Sequence, residues 1–243
     1  ASKSTPGIGS SSLGSQLKKV NIVLQHQTVV ANGYVGLGPY RSEFYLTPAL
    51  NNFDQGTVSW GDQLALHEYR HVQQFNNFNN GASKLMKTLF GQEGYALAIN
   101  AATPDWFYEG DAVYTETVVA KQGRGRLPLF LNAYPSLWQS GKKYSWMKLR
   151  NGSLRDYVPD HYQLGYLLTA YGREKYGDSI WAKVTNDAVR FKRLVYPFQS
   201  AIKRNTGIEY EKFRSAAFDF FRTPLAAGED SSAAWAGKQK HFN

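Results

Sequence analysis

Cysteine is absent from this chain, and that absence excludes disulfides, zinc–cysteine clusters and thiol catalysis together. It fits any compartment and so does not locate the protein. Long apolar runs are missing as well: nothing approaches the roughly 18 consecutive residues that cross a bilayer. No internal repeat is visible. Histidine is scarce, with five in 243 residues, so any clustering of them is informative. The opening stretch ASKSTPGIGSSSLGS has neither an initiator Met nor an apolar signal core. It reads as a flexible, trimmed terminus, left by a removed export signal or by cloning of a fragment. The expectation is an exported protein, whether periplasmic, envelope-associated or secreted, with a cytoplasmic location as the alternative.

What the chain does contain is a core. Apolar residues make up 42% and aromatics 15%, the composition of a globular protein with substantial buried surface. Lys and Arg outnumber Asp and Glu by 28 to 19, giving a net charge of +9 and attraction to polyanions. The cations are scattered (Lys18-Lys19, Arg124 and Arg126, Lys142-Lys143, Lys192-Arg193, Lys203-Arg204). That scatter reads as a generally basic surface and not a binding stripe, so no nucleic-acid partner is expected.

The pattern along the chain predicts an α+β fold. Val20, Ile22 and Leu24 alternate with polar neighbours, a strand period, and glycine- and proline-broken β-like runs follow to residue 48. This predicts a small antiparallel or mixed sheet over 18–48. After the loop NNFDQG, Ser59 to Asp62 has a Ser-x-x-Asp helix start, and one helix should run from about 61 to 75. Helices are expected at 83–100, from Thr103-Pro104-Asp105 to about 122, at 160–176, and near 178–191, 196–205 and 208–222. The segment 124–158 reads as irregular. The expected organisation is a flexible segment 1–17, one domain over 18–222, and a tail at 223–243. Within the domain a sheet part (18–60) precedes a helical part (61–222), with a cleft between them.

One motif stands out. His67-Glu68-x-x-His71 puts two imidazoles four residues apart, one turn apart on one helix face, a separation suited to a shared zinc ion. Glu68 lies off that axis but close enough to take a proton from a zinc-activated water. From this composition the motif arises by chance only ~0.004 times. Leu64, Ala65, Leu66, Val72 and Phe75 surround it with apolar character; two solvated histidines on a helix surface are the plain alternative. A catalytic zinc site needs a third protein ligand. His26, His161 and His241 are poorly placed for it. Glu109, set among aromatics in WFYEGDAV, would be costly to bury without a cation. Gly110 after it removes a side chain where a second helix must approach closely.

These residues carry a resemblance. His67-Glu68-x-x-His71 followed by Trp106-Phe107-x-Glu109-Gly110-x-Ala112-x-Tyr114 resembles the gluzincin zinc metallopeptidases. The likeness is to their aminopeptidase-like, peptidase MA-like branch and to bacterial relatives linked to β-propeller repeats, and it spans about 32–177. It implies a zincin-like domain with one Zn2+ held by His67, His71 and Glu109, Glu68 as general base, and a peptide or protein substrate. It also implies that Tyr162, in HYQLGY, stabilises the oxyanion, with Tyr157, His161 and Tyr166 as substitutes. Glu116, one heptad after Glu109, is a candidate to orient a ligand histidine, as are, more weakly, Asp105 and Asp111. The segment Gly33–Gly38 is a candidate edge for an extended substrate. The aminopeptidases' glycine-rich motif with an acid for the substrate amine is not recognisable, so endo- and exopeptidase action both stay open. Two other readings remain: a peptidase-like domain that only binds, and a basic protein that binds polyanions or the cell envelope.

Overall fold

Three short strands open the chain: β1 (Asn21–Gln25), β2 (Gly33–Leu37) and β3 (Tyr40–Tyr45). They form one sheet in the order β1-β3-β2. In this computed structural model residues 20–49, 58–120 and 122–226 are described. The expected segment 1–17, the loop 51–56 and the tail from 227 on lie outside them. The sheet is mixed: β2 and β3 form an antiparallel hairpin with Gly33 opposite Phe44, whereas β1 runs parallel to β3. Of the two arrangements expected, antiparallel or mixed, the sheet has the mixed one. The hairpin needs only a tight turn, while residues 26–32 carry the chain across so that β1 joins the far side of β3.

The rest is helical, so the fold is α+β, a small N-terminal sheet followed by a mainly helical body. Helix α1 (Trp60–Phe78) starts as expected, with Ser59 Oγ accepting from the Asp62 N–H at 3.3 Å. It runs three residues past the expected end at 75, to Phe78, with Asn79 as its C-cap. Asn77 is buried and donates to Thr185 Oγ1 at 2.8 Å, so its polar group is satisfied by tertiary contact within the helix. Helix α2 (Gly81–Ala102) bends sharply at Phe90-Gly91. Helix α3 (Asp105–Val119) begins after Pro104, one residue later than the Thr103 cap implied, and ends before 122. The segment 124–158 is not irregular throughout. It holds a 3₁₀ turn (Arg124–Arg126) and short helices α4 (Pro128–Leu131), α5 (Ala133–Gln139) and α6 (Trp146–Asn151). Four longer helices follow: α7 (His161–Tyr176), α8 (Ile180–Ala188), α9 (Pro197–Thr206) and α10 (Tyr210–Ala226). None of the described helices is long and apolar enough to cross a membrane.

The core sits where α3, α7, α8 and α9 meet, with Trp106, Phe107, Trp181 and Phe198 packed ring to ring. Two glycines set the distance between α3 and α7. A Cβ on Gly110 would lie 2.0 Å from the Gly165 carbonyl carbon, and one on Gly165 would lie 1.9 Å from the Trp106 carbonyl oxygen. The backbones therefore touch at this point, as Gly110 led us to expect. That contact brings Glu109 of α3 and Tyr162 of α7 to the same side of the motif helix α1.

Candidate metal centre

The Ser59 cap and the apolar stripe of α1 seat Leu64 and Val72 in the interior, which turns His67 and His71 toward α3. Their rings lie 4.9 Å apart, nearly edge to face. From α3 Glu109 reaches across, its Oε2 3.0 Å from His67 Nε2 and 3.6 Å from His71 Nε2. Ligand atoms of these three residues all fall within 4.8 Å of one another.

The other ring nitrogens are held from behind. His71 Nδ1 is 2.9 Å from Gln74 Oε1, an acceptor, so Nδ1 carries a proton and Nε2 is the nitrogen turned toward Glu109. Gln74 cannot flip, because its amide donates to the Tyr108 carbonyl and to Asp111 Oδ2, both at 3.0 Å. Asp111 is in turn fixed by Arg70 (2.8 and 3.1 Å) and Arg173 (2.8 Å). His67 Nδ1 lies 3.2 Å from Glu116 Oε2 and 2.9 Å from Arg124 Nη2. A guanidinium only donates and a carboxylate only accepts, so one proton on the ring serves one of these contacts. With Nδ1 protonated the ring donates to Glu116 and frees Nε2 for a metal. Arg124 keeps its own hold on Glu116, Nε to Oε1 at 2.6 Å and Nη2 to Oε2 at 3.1 Å.

Without a metal the histidines attract protons. Burial disfavours charge on His71, but the Glu109 carboxylate outweighs it and raises the pKa to about 9. His67 is raised as well, burial being overcome by the hydrogen bonds its protonated ring donates to Glu109 and Glu116. Glu109 is correspondingly held well below the usual range: burial opposes this, and the charge of His71 prevails. Glu68 goes the other way. Burial pushes its carboxyl up, only partly offset by His71 and His67. Its Oε2 is buried and has no hydrogen-bond partner among the described residues.

All four residues face one cavity of about 530 Å³. Gly33, Tyr34 and Val35 of β2 roof it, and a Cβ on Gly33 would come within 2.7 Å of Leu64 and 3.1 Å of Glu68 Oε1. Tyr162 lines it too, its ring stacked 6.3 Å from that of His67. Burial and the neighbouring Glu109 charge raise the phenol's pKa, so it stays protonated. Of its suggested substitutes, His161 lines the cavity beside it, Tyr166 is buried in the core and Tyr157 is exposed outside. Asp105 sits in the lining, and no bond from it to either histidine is among the described contacts.

Arg124, Gln74 and Arg70 are among the site residues that sequence reading alone does not reveal. Arg124 counted only as one scattered cation, although Gly123 packs on Thr117 and Gly125 on Tyr166, winding the turn tightly enough to insert it. Paired glycines around an arginine were the available signal. Gln74 and Arg70 had none beyond their place on the motif helix; Asp111 was noted only as a weak candidate.

The donor set suits a borderline divalent cation: two imidazoles with free Nε2, one carboxylate, and a buried unpartnered carboxylate oxygen beside them. Comparison with known proteins adds nothing to this geometry: no family model, no curated protein and no solved structure matches the chain.

Proposed function

We propose that this protein is a single-zinc peptidase of the gluzincin kind, acting on peptides or proteins. The observation that carries the reading is the convergence of His67, His71 and Glu109 ligand atoms within 4.8 Å, with the unpartnered Glu68 oxygen on the same cavity. A zinc ion held by those three would supply Lewis acidity toward an amide carbonyl and a water molecule.

The chain's own groups do the rest. Glu68, made more basic by burial, takes a proton from water as the water oxygen bonds to the carbonyl carbon. It returns that proton to the amide nitrogen as the C–N bond breaks, so acid and amine leave in balance. Tyr162, kept protonated, donates its O–H to the oxygen on which negative charge develops. Glu116 and Gln74 hold the two rings in the tautomer that keeps both Nε2 atoms free. Among the described strands β2 pairs with β3 alone, and its other edge would receive an extended substrate. Gly33 keeps side-chain bulk away from Glu68 at that edge.

Elemental analysis tests the metal part. The purified chain should carry one zinc per molecule, and Glu109→Ala should retain much less. Zinc-free wild type after zinc loading, or full retention by Glu109→Ala, would refute the assignment.

A further inference from the structure

A second surface lies in the loop between α8 and α9, sequence RFKRLVYP from Arg190 to Pro197. Leu194, Val195 and Tyr196 are 83, 61 and 67% exposed. The loop is pinned at both ends: Phe191 packs on the core, and Pro197 and Phe198 are buried. Phe191 (φ 51°) and Tyr196 (φ 54°) are the non-glycine residues with positive φ among those described. Bulky side chains rarely adopt this left-handed conformation and keep it only where the surroundings enforce it. Here it turns three apolar side chains in a row away from the core.

Cations flank that tip. Lys192 and Arg193 are exposed within it. The start of α2 is tied to the loop, with Ser83 N–H donating to the Val189 carbonyl and Arg190 Nε to Asn80 Oδ1, both at 3.3 Å. There α2 adds exposed Lys84 and then Leu85, 57% exposed. Asp187, the acid at the end of α8, is already engaged by Lys192 at 3.0 Å and Arg204 at 2.5 Å.

We propose that the 191–196 loop, with the adjoining start of α2, docks the protein on an anionic lipid surface. Aliphatic side chains enter the headgroup boundary, Tyr196 sits at the interface, and the flanking cations meet lipid phosphates. The charge argues for lipid over a second copy, because two such patches face to face would bring like charges together. The net charge of +9 adds long-range attraction to the same surface. The proposal is independent of hydrolysis.

Flotation of the full chain with phosphatidylcholine vesicles, with and without phosphatidylglycerol, tests it. Binding should require phosphatidylglycerol, weaken with salt, and fall at least about 10-fold in the double variant Leu194→Glu/Val195→Glu. Leu154→Glu, the same change at an exposed leucine elsewhere, should bind as wild type. Circular dichroism verifies each fold; if the double variant misfolds, Arg193→Glu takes its place and should also weaken binding. The proposal is overturned by equal binding to both vesicle types, by no binding, or by tip variants that float like wild type. A wild-type dimer that the tip variants dissociate would overturn it as well, by making a second copy the occupant.

Discussion

Glu68 and Glu116 are both buried acids within reach of the histidine pair, yet their surroundings give them opposite properties. Burial alone dominates Glu68 and pushes its carboxyl up, whereas Arg124 and His67 overcome burial at Glu116 and hold it down. One is poised to accept a proton and the other to stay charged and hold a ring. Replacing Glu116 with Ala should therefore lower zinc affinity about 10- to 100-fold, measured by competition with a chelating dye. Unchanged affinity would show that His67 needs no orienting partner. The pH response follows from His71, whose folded pKa of about 9 lies above its ordinary 6.5. A raised folded pKa gives stability that is full below about 6.5 and lost as pH rises through about 9. The metal-free protein should thus melt at lower temperature at pH 9 than at pH 6.5. Apparent zinc affinity should climb over the same window, since binding displaces those protons. A metal-free melting temperature that does not fall would contradict this. At this scale the sequence disclosed what local spacing encodes. His67, Glu68 and His71 share one helical turn, and Glu109 betrays itself by its aromatic neighbours. Arg124 stays hidden because it meets His67 across 57 residues of chain, through a turn with no periodicity of its own.

Among the elements, the contact of α3 with α7 decides where the site forms. Gly165→Ala would drive a Cβ into the Trp106 carbonyl and force the helices apart. A loss of about 3 kcal/mol in chemical denaturation is expected, with zinc retention falling alongside as Glu109 moves. A variant as stable as wild type would mean that the helices can separate freely. Gly110 announced this approach because a glycine within an otherwise apolar helix has few other purposes. The parallel pairing of β1 with β3 was not legible, because alternation defines a strand and not its partner or direction. Nor were α4 to α6: their prolines and glycines look like breaks but sit at helix starts and ends, such as Pro128 at the first turn of α4 and Gly152 closing α6. Tertiary burial of Phe130, Leu131 and Tyr134 makes helices of segments too short to form alone.

Across the whole molecule two surfaces divide the work. The cavity between sheet and helices gathers His67, His71, Glu109 and Glu68 beside β2, while the 191–196 loop presents apolar and basic side chains of its own. The net charge of +9 had no assignment within the first surface, and the second gives part of it a role. The central claim concerns the first: that Glu68 activates water at a zinc held by His67, His71 and Glu109. Digestion of a mixed peptide library, read by mass spectrometry, should be run on zinc-loaded wild type and Glu68→Gln in parallel. The account predicts that both proteins carry one zinc and that Glu68→Gln cleaves at least about 100-fold more slowly. Equal cleavage by zinc-loaded Glu68→Gln, or none by zinc-loaded wild type, would contradict it.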